Sequence, residues 1–279
     1  MSASIRKMDA IFLSQGKKTG IFLKAKGITM IEIDSISKAY GTKKAVDHLS
    51  LTLKEGTITG FIGPNGAGKT TTIKMLTGII KPDTGKIRLN GIDLAKNPEK
   101  AKEQFGYVSD NPDLFLQLKG LEYIKFICDV YQVPQEERGP RLQELLEDFE
   151  MEEAVSQKIS SYSHGMRQKI HIIATLMHDP RLWIMDEPMT GLDPQSSYLL
   201  KQKMRTHADK GNMVLFSTHV LEVAEKLCDQ IAIINKGKIT YTGTLEALKA
   251  EYPQRSLEEI FLIVTGSKVM EEEKVEPVL

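Results

Sequence analysis

The chain has 279 residues, 41% hydrophobic and 27% charged, a balance that suits a folded globular protein and argues against a disordered one. Lys plus Arg and Asp plus Glu number 37 each, so bulk charge gives no hold on nucleic acid. Two cysteines, Cys128 and Cys228, suit a reducing cytosol and exclude a disulfide framework, and no apolar run approaches the ~18 residues of a spanning helix, so service to a membrane would need a spanning partner chain.

Residues 1–29 carry Arg6, Lys7, Lys17, Lys18, Lys24 and Lys26 against the single acid Asp9. A basic membrane-surface anchor, a signal peptide and a poorly ordered leader compete for this segment. The apolar triplets at 11–13 and 21–23 are too short for a signal core, and Met30-Ile31-Glu32-Ile33-Asp34 opens a cleanly alternating strand, which favours the leader. Strands are expected over 31–36, 46–53 and 57–62, with Glu55-Gly56 as a hairpin-type turn between the last two. A helix over 69–78 follows, then a turn at Pro82-Asp83-Thr84-Gly85, a strand over 86–89 and the turn Asn90-Gly91.

From about 104 to 157 the pattern turns helical, with apolar spacings of three and four over 121–131 and 138–149, separated by Pro134. Alternation then returns: helix 165–177, strand 182–185, helix 195–208, strand 213–216, helix 220–227, strands 230–235 and 238–242, and short helices over 244–249 and 257–264. The fold expected is α/β, a mostly parallel sheet covered by helices, with an antiparallel β subdomain and an inserted helical subdomain at about 104–165. The main domain is expected over 30–250, and 251–279 as a last helix with a solvated acidic tail at 271–273.

Chemistry concentrates in a few places. Gly63-Pro64-Asn65-Gly66-Ala67-Gly68-Lys69-Thr70 fits the phosphate-loop pattern in full, between a strand and a helix. The glycines let backbone amides curl around an anion, and the helix points its positive end at the phosphates. Lys69 can reach the β- and γ-phosphates of ATP, the Thr70 hydroxyl can ligate Mg²⁺, and Thr71 is grouped with the loop. Asp186 and Glu187 end the apolar strand Leu182-Trp183-Ile184-Met185, at the edge where open α/β sheets bind ligands. Asp186 can hold Mg²⁺ there, and Glu187 can orient and deprotonate an attacking water. His219 lies just past the strand over 213–216, and Tyr40 offers an aromatic face on which a base can stack.

Tyr162-Ser163-His164-Gly165-Met166 stands about twenty residues before Asp186. Ser163 has two readings, an ordinary helix N-cap and, together with the amides at Gly165 and beyond, a second anion site. A second site for the same γ-phosphate implies two chains, each completing the other's pocket. The spacing of His164, His171 and His178 by seven does not mark a zinc site. Each step along a helix rises about 10 Å, against metal bonds near 2 Å.

Together these motifs resemble the ATP-binding subunit of an ABC transporter over about residues 30–249: aromatic Tyr40, phosphate loop, helical insert, signature, acidic strand, Gly191-Leu192-Asp193 and His219, in that order. The resemblance implies a P-loop NTPase core and a head-to-tail dimer, either a homodimer or a pair with a close paralogue. ATP is then sandwiched between one chain's phosphate loop and the other's signature. It implies His219 as a phosphate-sensing switch and Asp193 at the dimer seam. It also implies Mg²⁺, transmembrane permease subunits whose helices dock in a groove beside the helical insert, a place on the cytoplasmic face of the cell membrane, and no nucleic-acid partner. Two departures stand out. The common signature Leu-Ser-Gly-Gly-Gln has Tyr162, His164 and Met166 at three of its five places, while Ser163 and Gly165 are kept. In Gly106-Tyr107-Val108-Ser109-Asp110-Asn111-Pro112, Asp110 stands at or beside the usual metal-binding Gln, and a carboxylate also ligates Mg²⁺. Both departures resemble the bacterial branch that exports drugs, peptides, antibiotics or lipids. An importer ATPase, and a soluble ATPase of the same superfamily acting on ribosomes or DNA, stand as alternatives.

Overall fold

The computed structural model describes residues 30–266, so the leader over 1–29 and the acidic run over 271–273 lie outside the described residues. A six-stranded sheet forms the centre, in the order β10-β9-β3-β8-β7-β6. Its strands are β3 (Ile58–Ile62), β6 (Phe105–Val108), β7 (Leu182–Met185), β8 (Met213–Thr218), β9 (Gln230–Asn235) and β10 (Lys238–Thr244). All neighbours pair in parallel except β10, which runs antiparallel to β9. β3, β7 and β8 are buried at every residue, as a sheet covered on both faces requires.

A four-stranded antiparallel sheet, in the order β2-β1-β4-β5, packs alongside, built from β1 (Met30–Tyr40), β2 (Lys43–Lys54), β4 (Thr84–Leu89) and β5 (Ile92–Asp93). Asn90 and Gly91 take φ of 52° and 76°, the left-handed pair that matches a two-residue hairpin to strand twist. The Glu55-Gly56 turn does not make a hairpin: β2 stays with β1, whereas β3 joins the parallel sheet. The cause is visible in burial. The second half of β2 alternates, having one dry face, whereas β3 is dry on both. The stretch from Gln104, expected to be helical, opens instead on β6, the edge strand beside β7. Four residues are too few to show a period, and the segment's helices dominate its pattern.

The helices are α1 (Lys69–Leu76), α2 (Pro98–Lys102), α3 (Gly120–Val130), α4 (Gln135–Asp148), α5 (His164–Leu176), α6 (Pro194–Asp209), α7 (Leu221–Leu227), α8 (Leu245–Glu251) and α9 (Leu257–Val264). One apolar cluster joins the antiparallel sheet to α1 and one face of the parallel sheet, through Ile31, Leu51, Phe61, Ile73, Ile184 and Leu215. A second joins α3 to α6 with the other face, through Ile124, Leu145, Ile173, Met204, Trp183 and Phe216. A third sets α7, α8 and α9 against Ile62, Ile231 and Ile233. Asn235, at the end of β9, donates from Nδ2 to the carbonyl of Thr265, just past α9, at 2.7 Å.

The register brings four strand ends to one edge. Ile62 pairs with Thr218 and Ile233, Phe216 with Met185, and Met185 with Val108. Phe216, with no exposure, sits at the middle of this frame. Phe216→Ala is expected to cost about 3–5 kcal/mol of stability, read as a lowered denaturation midpoint at unchanged m-value.

Candidate active site

The phosphate loop leaves β3 at Ile62 and is wedged between two carbonyls. A Cβ on Gly63 would stand 2.4 Å from the carbonyl of Ile234, and one on Gly68 would stand 2.5 Å from that of Ala45. Gly66 and Gly68 also take φ of 77° and 113°, where side-chain-bearing residues are strained. The Gly237 amide donates to the carbonyl of Ala67 at 2.8 Å, and its own carbonyl accepts from Asp47 N at 2.9 Å, so the β9–β10 turn ties the loop to β2. Lys69 is buried and curls back, donating from Nζ to the Gly63 carbonyl at 2.6 Å. Its ammonium lies 3.6 Å from Glu187 Oε1. Thr70 and Thr71 open α1 behind it, while Pro64, Asn65, Gly66 and Ala67 form the crown of the loop.

Asp186 and Glu187 follow β7 into this space. Asp186 has no exposure; its amide donates to Val108 O at 2.9 Å and Oδ1 accepts from Ser217 Oγ at 2.5 Å. Burial raises its carboxyl above the ordinary carboxylate range. The hydroxyls of Ser217 and Thr70 oppose that shift, and the charges of Asp110 and Glu187 add to it. Oδ2 of Asp186 is buried with no hydrogen-bond partner. A buried carboxylate with one bare oxygen, a threonine hydroxyl close enough to favour its charge and a second acid in electrostatic reach is a donor set suited to a hard divalent cation such as Mg²⁺. Asp110 itself is exposed and accepts from Ser109 Oγ at 3.1 Å. Glu187 adopts φ 48°, its amide donates to Ser217 Oγ at 2.9 Å, and its Oε2 lies 3.0 Å from His219 Nδ1. Lys69, Thr70, Asp186, Glu187 and His219, expected from sequence, are thus gathered at one edge.

Tyr40 is 53% exposed at the tip of the β1–β2 hairpin, with its ring open to solvent. Ser163 and Gly165 stand elsewhere, at the start of α5. Ser163 is the N-cap, its Oγ accepting from Met166 N at 3.2 Å. Gly165 is required for close approach: a Cβ there would stand 2.5 Å from the Gly191 carbonyl. Asp193 caps α6 and pairs with Lys169 Nζ at 2.9 Å, and the amide and hydroxyl of Ser196 together with Lys169 hold its carboxyl well below the usual range. His171 is held between Tyr123 and the Pro112 carbonyl, and His178 stacks on Tyr131, so these two histidines face different neighbours.

The sequence reading gave no role to Ser217 or Lys169. Ser217 follows the apolar run at 213–216 and precedes Thr218 and His219, so locally it reads as the polar end of a strand. Lys169 lies on the buried side of α5, where its partner Asp193, 24 residues away, could not be inferred from spacing.

Comparison with known proteins identifies the family. The family model described as "ABC transporter" matches residues 46–190, just over half of the chain. The ABC-type transporter ATP-binding protein EcsA of Bacillus subtilis is 33% identical over 240 residues, covering 85% of this chain and 97% of EcsA. The linearmycin resistance ATP-binding protein LnrL of the same organism is 39% identical over 215 residues, covering 77% of this chain and 69% of LnrL. A solved ATP-binding subunit of an ABC transporter superposes with a TM-score of 0.81 at 33% identity, covering 85% of this chain and all of the other. A dimeric, post-hydrolysis ATP-binding cassette, MJ0796 bound to ADP and Pi, shares the fold with a TM-score of 0.70 at 23% identity, covering 77% of this chain and 98% of that one. The chain belongs to the ABC transporter family, as an ATP-binding subunit that hydrolyses ATP.

Gly68→Ala tests the loop directly. The methyl would collide with Ala45 O and strain the backbone, so ATP affinity in a fluorescent-nucleotide titration is expected to fall by roughly tenfold or more, about 1.4 kcal/mol.

Proposed function

We propose that this subunit powers export, with two copies or close paralogues closing head to tail over ATP and driving separate membrane subunits from the cytoplasmic face. The observation that carries the catalytic part is the convergence of the phosphate loop, Asp186, Glu187 and His219 on one sheet edge, with an acid oxygen left bare inside it. Lys69 exchanges its contact with the Gly63 carbonyl for the β- and γ-phosphate oxygens, a charge-assisted bond in place of a neutral one. Glu187 accepts the proton of the attacking water as that water bonds to the γ-phosphorus and ADP leaves. His219 steadies the Glu187 carboxylate through Nδ1 and presents the rest of its half-exposed ring to the γ-phosphate. Thr70, Asp186 and Asp110 would hold Mg²⁺, which supplies positive charge to the phosphate oxygens when bound. Tyr40 offers its exposed ring to the adenine.

Ser163 and Gly165 are assigned to the nucleotide of the facing copy. Ser163 caps α5 with a lone pair of its hydroxyl, which leaves the O–H proton to donate to phosphate. The contact of Gly165 with Gly191, and the Lys169–Asp193 pair, link that donor to the loop assigned to the dimer seam. No helix among the described residues is long and apolar enough to cross a membrane, which fits separate permease subunits. Their docking is assigned to the groove beside α3, about 220 Å³ in volume and lined by Ile79, Tyr107, Tyr123, Ile127 and Tyr131. Phe115, stacked on Tyr123, and Phe126 extend it with apolar surface that is nearly half exposed. Export is favoured by the resistance named in LnrL and by the Tyr162, His164, Met166 and Asp110 departures.

Glu187→Gln keeps the shape and removes the base. It is expected to bind ATP, accumulate as a dimer on gel filtration and lose about 100-fold or more in turnover; hydrolysis at the wild-type rate would exclude Glu187 as the base. For the groove, Phe126→Asp is expected to abolish co-purification with a membrane subunit of about six spans while the isolated chain hydrolyses ATP normally. Retained co-purification would place the docking surface elsewhere.

A further inference from the structure

Ser217 is fully buried on β8, which runs between β3 and β7, and it directly follows the buried apolar residues Leu215 and Phe216. A buried serine ordinarily satisfies its hydroxyl on a nearby backbone carbonyl. This one reaches across to the next strand instead. It donates to Asp186 Oδ1 at 2.5 Å and accepts the Glu187 amide proton at 2.9 Å, with sequence separations of 31 and 30 residues. One oxygen atom therefore joins the carboxylate of one acid to the backbone of the next.

Both bonds have a consequence for geometry. The first fixes the rotation of the Asp186 carboxylate, so that Oδ1 is occupied within the protein and the bare Oδ2 is the oxygen left for a ligand. The second holds Glu187 at φ 48°, a left-handed conformation uncommon for a residue with a long side chain. In that conformation its two carboxylate oxygens reach His219 and Lys69. Without the hydroxyl, the Glu187 amide loses its acceptor and the Asp186 carboxylate loses its orientation.

We infer that Ser217 is the positioning residue of this site: its hydroxyl aims Asp186 Oδ2 at the divalent cation and sets the Glu187 backbone for base catalysis. The inference rests on the roles proposed above for Asp186 and Glu187, and it adds a residue outside every motif recognised in the sequence.

The test uses the full chain and reads cation dependence apart from turnover. Binding of a fluorescent ATP analogue is titrated in EDTA and again across a Mg²⁺ series, for wild type, Ser217→Ala and Ser217→Thr, with hydrolysis measured in parallel. Ser217→Ala is expected to bind the analogue in EDTA as wild type does, because the phosphate loop is untouched. It should need roughly tenfold or more Mg²⁺ to reach the cation-dependent gain in affinity, the usual scale for loss of a group that orients a metal ligand. Its maximal turnover should fall as well, because Glu187 is no longer held. Ser217→Thr, which keeps the hydroxyl, should restore the wild-type Mg²⁺ requirement. A wild-type Mg²⁺ requirement in Ser217→Ala overturns the inference. So does an equal loss of binding in EDTA, which would mark Ser217 as a packing residue only. Glu187→Gln, run alongside, separates the two proposals: wild-type hydrolysis there rejects Glu187 as base, while the Mg²⁺ shift in Ser217→Ala still judges Ser217.

Discussion

A carboxylate kept out of water governs the active edge of this protein. Taking an ion from water into a protein interior costs several kcal/mol even after relaxation, and Asp186 has no exposed surface. Two hydroxyls and its own strand position offset part of that cost, while the like charges of Glu187 and Asp110 add to it. The Lys69 ammonium stands 3.6 Å from Glu187 and is itself folded into the phosphate loop. The arrangement is electrostatically incomplete without further positive charge, and in the proposed reading nucleotide and cation arrive together to supply it. That incompleteness is the reason a stable sheet can carry a responsive site: its rigid part is the buried register of β3, β7 and β8, and its unsatisfied part lies one or two residues past the strand ends.

Much of this was legible in the sequence because the phosphate loop, the acidic strand and their order depend on local chemistry. The loop needs glycine where φ is left-handed, and the strand reads as apolar because it is dry on both faces. The elements that were misread fail for physical reasons. β6 is four residues long, and what makes it a strand is its pairing with β7, nearly 80 residues later. The turn at Glu55-Gly56 looks like a hairpin locally, but the sheet to which β3 belongs is decided by β8 and β9. Ser217 was invisible for the same reason: its partners are on another strand, and the chain gives no local sign of them.

The start of α5 shows how one residue satisfies two demands. A capping serine uses an oxygen lone pair on the helix and keeps its proton, so the N-cap and phosphate readings of Ser163 do not compete. Gly165 likewise has a reason to be glycine within its own chain, the Gly191 carbonyl pressed against it. The substitutions at Tyr162 and His164 then read as local repacking. Tyr162 is buried and donates its hydroxyl to the Ala154 carbonyl, and the His164 ring lies over Gly191. Neither disturbs the Ser163 hydroxyl.

The bond from Asn235 to the Thr265 carbonyl gives the end of the described chain an unexpected reach. Asn235 follows Ile234, whose carbonyl presses on Gly63, and it precedes the turn whose Gly237 amide holds Ala67. The last described helix is therefore fastened to the same short strip of backbone that braces the phosphate loop. A fusion partner or a shortened terminus that pulled on Thr265 would be transmitted along that strip, and would register as a change in nucleotide grip at a place remote in sequence from the alteration.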